Sequence, residues 1–187
     1  MRVDLDHFEQ TYQNNIDPWN FTESPYELRR FDITMASLPR LRYRRCFEPG
    51  CSIGSLTKRL ADRCQEVVAT EASATASAEA ARRLRNVDNV AVSTGSIPEQ
   101  WPTGQFDLVM WSELGYYWDS AELAAIVEQA RSLLVADGHI VGVHWLGSSD
   151  DHLLSGHEVQ AVMMSLFGER VVHQVDTDFL LDIWPAK

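Results

Sequence analysis

Apolar residues return along this chain with two periods, and the change from one to the other outlines the fold. Leu28, Phe31, Met35 and Leu38 recur at helical spacing. Ser24 stands before them as N-cap, Pro25 takes the first helical position, and Glu27 follows three residues after Ser24 to complete a capping box. From residue 44 onward, short apolar runs alternate with helical stretches, the pattern of strand-helix units around a mostly parallel sheet. The runs predict strands at Cys46 to Pro49, Glu66 to Thr70, Val90 to Ser93, Phe106 to Trp111 and His139 to Trp145. Leu56, Leu60 and Cys64 share one face of an intervening helix, an Ala-rich stretch at 74 to 84 makes a second, and Leu123, Ile126, Val127 and Ala130 line a third after Asp119-Ser120. A helix at about 156 to 167 has Ser155 as cap, Glu158 three residues later, and Val159, Val162, Met163, Leu166 and Phe167 as its buried stripe. Val171 to Val175 and Phe179 to Trp184 are then separated only by Asp176-Thr177-Asp178, too few residues for a parallel crossover, so they form an antiparallel hairpin. The expected architecture is α/β: an open, mostly parallel seven-stranded sheet flanked by helices, Rossmann-like, closed by a C-terminal antiparallel hairpin.

Residues 1 to 24 read as polar and irregular, with turn-prone Asn14-Asn15 and Asp17-Pro18. They nevertheless hold Trp19 and Phe21, which need a surface to cover, so the segment is expected to act as a lid. A chain of 187 residues with 45% hydrophobic and 23% charged composition suits one domain, with 1–40 as lid and capped helix and 41–187 as core. The formal net charge of -11 argues against nucleic acid as a partner and favours a neutral or cationic small substrate. Cys46, Cys51 and Cys64 are odd in number and lack a CxxC spacing, which points to reduced core thiols in a cytoplasmic protein, with neither disulfides nor a metal site. Acidic residues interrupt Met1 to Glu9 where a signal peptide needs an apolar core, and no run approaches the ~20 apolar residues of a membrane span. The expectation is a soluble, unsecreted protein.

In an open sheet of this kind, ligands bind beyond the carboxyl ends of the strands. The first such end is Glu48-Pro49-Gly50-Cys51-Ser52-Ile53-Gly54, a strand-turn-helix segment. A dinucleotide fingerprint would place small residues at 50, 52 and 55, whereas a GxGxG register at 50, 52 and 54 reads Gly, Ser, Gly and fits better. No GxxxxGK[ST] occurs in the chain, which excludes a P-loop on motif grounds. Glu48 would repel a pyrophosphate but attract an ammonium, and Glu71, about 20 residues beyond Gly50, can accept the hydroxyls of a ribose. Ribose plus ammonium points to S-adenosylmethionine. The fourth strand runs into Trp111-Ser112-Glu113-Leu114-Gly115-Tyr116-Tyr117-Trp118, an aromatic and acidic cluster suited to aligning a nucleophile with a sulfonium methyl group. Glu113 is the first candidate for orienting an amine nucleophile or accepting its proton, with Tyr117 in the same cluster and His144, at the end of the fifth strand, as further catalytic candidates. Tyr116, Tyr117 and Trp118 also read as partly core, and His139, His152, His157 and His173 as surface or loop residues.

Residues 40 to 145 resemble the class I S-adenosylmethionine-dependent methyltransferases. The resemblance implies that Glu48, Gly50, Ser52 and Gly54 surround the methionine part of the cofactor, with Pro49 and Cys51 in the same loop. It further implies Glu71 and Ala72 at the ribose and Gly95-Ser96-Ile97 at the adenine, with Trp19 and Ser112 as additional cofactor contacts and no metal. Two positions depart from the pattern: Ser52 stands for the middle glycine, and Ser96 for the Asp that commonly receives the adenine amino group. Within these enzymes, Asp17-Pro18-Trp19, Ser24-Pro25-Tyr26-Glu27, the 48–54 loop, Ser112 to Trp118 and His144-Trp145 together resemble the nodulation protein S (NodS) group. That resemblance implies N-methylation of the free amino sugar at the non-reducing end of a partly deacetylated chitooligosaccharide, a step in Nod factor biosynthesis. An acidic cleft attracts an amino sugar as its ammonium form, and Trp19, Trp118 or Trp145 could stack on sugar rings. Two other readings stand beside it: a methyltransferase acting on a different small acceptor, and a noncatalytic binding module that has kept the fold.

Overall fold

In the computed structural model, residues 5–186 are described; the first four residues of the expected lid, which carry part of the Met1 to Glu9 reading, and Lys187 lie outside the described residues. The elements are α1 (Leu5–Asn14), α2 (Pro25–Ser37), β1 (Tyr43–Pro49), α3 (Ser55–Ala61), β2 (Cys64–Glu71), α4 (Ala74–Leu84) and β3 (Val90–Thr94). They continue with β4 (Phe106–Ser112), a 3-10 turn (Gly115–Tyr117), α5 (Ser120–Ser132), β5 (Leu134–Trp145), α6 (Gly156–Phe167), β6 (Val172–Val175) and β7 (Phe179–Pro185). The strands form a seven-stranded sheet of order β3-β2-β1-β4-β5-β7-β6. β1, β2 and β3 pair in parallel, as do β4 and β5, while β7 runs antiparallel to both β5 and β6. The expected fold class and hairpin are therefore present.

Among the described residues the chain separates into two compact units, 5–102 and 103–186. In the first, Cys46, Phe47, Val67 and Ala69 form the buried sheet core, α4 packs on β2 and β3, and α1 packs on α4. In the second, β4 is buried from Phe106 to Trp111, as a strand covered on both faces must be, and α6 brings Phe167 onto Trp184 with ring centroids 5.9 Å apart. No helix among the described residues is long and apolar enough to cross a membrane. Cys46, Cys51 and Cys64 are buried, and none of them is joined in a disulfide.

Four expectations need correction. Residues 5–14 are helical, not irregular: Leu5, Phe8 and Tyr12 lie on one face, but only Tyr12 is buried, so the apolar signal is thin. Helix α3 stops at Ala61, and Cys64 opens β2 instead of continuing that helix, because the Arg63 carbonyl accepts the Tyr43 N–H at 2.8 Å and draws the chain into the sheet. Among the described residues no helix joins β3 to β4, so the expected alternation of strands and helices breaks there. At Ser24 the box is half-formed: its hydroxyl accepts the Glu27 N–H at 3.4 Å, while the Glu27 carboxylate turns to Arg30 Nε at 3.1 Å. The box at Ser155 and Glu158 is complete, as is one at Asp119 and Glu122.

Candidate active site

In the first unit, the strand-turn-helix segment has a backbone that matches its register. Gly50, Ser52 and Gly54 have φ of 68°, 51° and 80°, so all three small-residue positions are left-handed. For a serine this conformation costs about 1–2 kcal/mol, and local contacts hold it there. The Ser52 N–H donates to Glu71 Oε2 at 2.8 Å, and its Oγ accepts the Tyr12 hydroxyl at 2.5 Å. Tyr12 meets Trp19 edge-on at 5.5 Å, Trp19 lies 5.7 Å from Phe21, and Phe21 lies 6.0 Å from Phe31. Helix α1 is also fastened by Glu9, which accepts Ser73 Oγ at 2.6 Å, Thr75 Oγ1 at 2.5 Å and the Thr75 N–H at 3.2 Å. These donors push the Glu9 carboxyl down to about 2.

Glu48 and Glu71 end adjacent parallel strands, and both are buried. Glu71 accepts Ser52 N–H and, through its other oxygen, the Ser73 N–H at 2.9 Å, leaving lone pairs on each oxygen; burial nonetheless raises its pKa above the usual carboxylate value. Glu48 is poorer in partners. Its Oε2 is buried without a hydrogen bond, and burial, with the Glu71 charge adding to it, raises the carboxyl to about 8. The Thr57 hydroxyl lies close enough to offset this slightly but not in hydrogen-bonding geometry. Two buried carboxylates, one with an orphaned oxygen, fit a ligand that carries a cation. Pro49 and Cys51 are buried within the loop, and burial pushes the Cys51 thiol well up, which suits packing over reactivity. Ala72 is half-buried after β2. Gly95 leaves β3 with its N–H donating to the Glu71 carbonyl at 2.9 Å, Ser96 follows half-buried, and Ile97 is buried. Trp19, 40% exposed, remains open to a ligand.

In the second unit, β4 ends at half-buried Ser112, and Glu113 turns the chain with φ of 55°. Its N–H donates to the Val143 carbonyl at 2.9 Å, its Oε1 accepts the Trp145 N–H at 2.8 Å, and its Oε2 accepts the Tyr116 hydroxyl at 2.9 Å. Tyr116 is buried, Tyr117 half-buried, and Trp118 packs on Trp111 at 6.1 Å. His144 is sealed in the core with its ring perpendicular to Tyr116 at 5.2 Å. His152 lies in a loop, as expected from sequence, but is half-buried and stacks on Tyr116 at 4.1 Å and 4°, with Tyr117 and Trp145 meeting it edge-on. Burial holds its imidazole below the usual range. His152, Tyr12 and Glu9 are the site residues that sequence reasoning missed. Tyr12 and Ser52 are 40 positions apart, and no spacing rule joins them. Among the described residues no group of three or more His, Cys, Asp or Glu is placed to hold a metal ion.

Comparison with known proteins gives this arrangement a family. A crystal structure of a candidate methyltransferase from Pseudomonas syringae is 38% identical, with 86% of this chain and 98% of that one covered at a TM-score of 0.76. The N-methyltransferase NodS from Bradyrhizobium japonicum WM9, solved in complex with S-adenosyl-L-homocysteine, is 20% identical and shares the fold at a TM-score of 0.79 over 95% of this chain and 97% of that one. Nodulation protein S of Rhizobium tropici is 26% identical over 173 residues, 87% of this chain and 71% of that protein. The profile of the nodulation protein S (NodS) family matches residues 6–177. The chain belongs to the NodS family of methyltransferases.

Proposed function

We propose that this chain transfers the methyl group of S-adenosylmethionine to the free amino group at the non-reducing end of a partly deacetylated chitooligosaccharide. The observation that carries the cofactor part of the reading is the buried Glu48 oxygen without a partner, beside Glu71 on the neighbouring strand, and the acceptor part is supported by membership of the NodS family. A buried acid in this state is neutral until a cation arrives, and the cofactor's ammonium is such a cation. When bound, S-adenosylmethionine supplies a methyl group activated by the sulfonium.

The chain's own residues divide the remaining work. Glu48 balances the ammonium of the methionine part, and the left-handed turn at Gly50, Ser52 and Gly54 lets a ligand approach the backbone closely. The free lone pairs of Glu71 accept ribose hydroxyls, while the Ser52 and Ser73 N–H groups fix its carboxylate. In the second unit, Glu113 acts as a positioning residue, because both its oxygens already hold Trp145 and Tyr116 in place. Tyr117, Trp145 and His152 then offer ring faces and edges for a sugar. His144, sealed beneath Tyr116, supports that ring.

The test is a panel of acceptors with labelled cofactor. Turnover on a chitooligosaccharide deacetylated at its non-reducing end, and none on the fully acetylated oligomer, is the expected result. Turnover on catechols but not amino sugars would sink the acceptor assignment.

A further inference from the structure

We propose that His152 orients the acceptor by donating a hydrogen bond from Nε2 to one of the sugar's oxygens, and that it takes no proton from the amine; the proposal rests on the acceptor reading above and deepens it. The loop after β5 is fastened along its length, so the place of His152 is set by backbone. The Leu146 N–H donates to the Asp178 carbonyl at 2.8 Å and the His152 N–H to the Ser149 carbonyl at 3.1 Å. The Leu153 and Leu154 N–H groups donate to the Tyr116 carbonyl at 2.8 Å and 3.2 Å. The loop thus grips the backbone of the same residue on whose ring His152 stacks. Trp145, one of the two rings that meet the imidazole edge-on, is equally constrained: a Cβ on Gly147 would lie 1.8 Å from its Cζ2, so the indole lies directly against that glycine.

A ring held this firmly leaves its polar atoms unspent. Nδ1 is buried without a hydrogen bond, and neither ring nitrogen has a hydrogen-bond partner among the described residues. The adjacent carboxylate, Asp151, accepts the Ser149 hydroxyl instead. Burial holds the imidazole below its usual range although the Asp151 charge acts against it, so at neutral pH the ring carries one proton. On Nδ1 that proton would make a buried donor with no acceptor, which folded proteins rarely tolerate; it therefore sits on Nε2. Nε2 is then the ring nitrogen that a ligand can reach, and it offers a donor and no lone pair. Such a group cannot take the proton that an amino sugar sheds, but it suits a hydroxyl or ring oxygen. The surrounding ring faces place a sugar without choosing its orientation, and a single N–H among them chooses it.

Packing alone also accounts for a stacked imidazole, and the experiment separates packing, proton transfer and hydrogen bonding. KM and kcat are measured with a chitooligosaccharide deacetylated at its non-reducing end for wild type, His152→Phe and His152→Gln, with S-adenosyl-L-homocysteine affinity and thermal melts alongside. His152→Phe keeps a ring on Tyr116 and loses the N–H. It is expected to raise the acceptor KM about tenfold, the worth of one neutral hydrogen bond, with kcat within about twofold and S-adenosyl-L-homocysteine affinity unchanged. His152→Gln carries an N–H donor at nearly the same reach and cannot take a proton, so its KM is expected within about threefold of wild type. A fall in kcat of about a hundredfold or more in both variants makes His152 the base and overturns the proposal. A KM as high in His152→Gln as in His152→Phe overturns it too, as does a joint loss of turnover and S-adenosyl-L-homocysteine affinity with a lower melting temperature. If the wild type methylates no amino sugar, the acceptor reading falls and this inference falls with it; turnover with an unaltered KM in His152→Phe refutes this inference alone.

Discussion

Glu48→Gln exchanges a buried carboxyl for a neutral amide of nearly the same shape. With its pKa raised by burial to about 8, the wild-type group is protonated in the free protein at neutral pH. An ammonium brought beside it expels that proton, so the logarithm of ligand affinity rises by about one unit per pH unit between about pH 5 and pH 8. At pH 7, about 0.9 of a proton should be released per ligand bound. The same shift acts on the ligand-free fold with the opposite consequence. A folded-state value raised above 4.5 means that the neutral carboxyl stabilises the fold fully below pH 4.5 and that this contribution is lost as pH rises through about 8. At about 1.4 kcal/mol per pH unit, the loss reaches roughly 3 kcal/mol by pH 7. The glutamine variant loses none of it. It should therefore melt higher than wild type above pH 7 without ligand, yet bind S-adenosyl-L-homocysteine about a hundredfold more weakly at pH 8, with no pH slope. Calorimetry from pH 6 to 8 in buffers of different ionisation enthalpy reads both the affinity and the proton count. A wild-type affinity that is flat across this range, with no proton released, would refute the role of Glu48 as counter-charge.

Four further outcomes follow from contacts in the two units. Tyr12→Phe removes the hydroxyl that binds Ser52 and should cost about 1 kcal/mol. In hydrogen exchange, residues 5–21 of the wild type should gain protection when S-adenosyl-L-homocysteine binds, and equal protection with and without it would remove the lid. Ser52→Ala keeps the left-handed strain and loses the Tyr12 bond, so it should destabilise by about 1 kcal/mol. Ser52→Gly sheds about 1–2 kcal/mol of strain against the same loss and should be near neutral in urea denaturation; equal stabilities for the two variants would show that strain plays no part. His152 should titrate below 6.5 by NMR, and because its neutral form is the one the fold accepts, its contribution to stability is lost as pH falls through that range. A titration at or above 6.5 would contradict the buried stack on Tyr116.

The parts of this structure that could be read from sequence are those set by neighbours a few residues apart. The three-residue link between β6 and β7 left only a hairpin, the Ser155 and Glu158 pair fixed the start of α6, and the small residues at 50, 52 and 54 marked three left-handed backbones. Elements whose stability comes from elsewhere were harder. Helix α1 buries only Tyr12 and is held by Glu9 reaching residues 64 and 66 positions away. The first part of β5 lies outside the strand expected at His139 to Trp145, because Leu134 pairs with Phe106 across a register shift. Glu113 stood out in sequence as candidate chemistry, but its hydrogen bonds to Trp145 and Tyr116 belong to the folded turn. His152 had no signal, since its partner Tyr116 lies 36 positions earlier and stacking leaves no periodicity.

Glu9 and Tyr12 stand three residues apart, so they project from one face of α1. They work as two pins of one plug: the first seats in Ser73 and Thr75 at the start of α4, the second in Ser52 of the glycine-type loop. A rigid helix cannot withdraw one pin and leave the other seated, so the α4 start and the loop are released in a single event. Because the Glu9 carboxyl stays ionised down to about pH 2, mild acid does not pull the first pin. Movement of α1 as a body is what remains to unplug it.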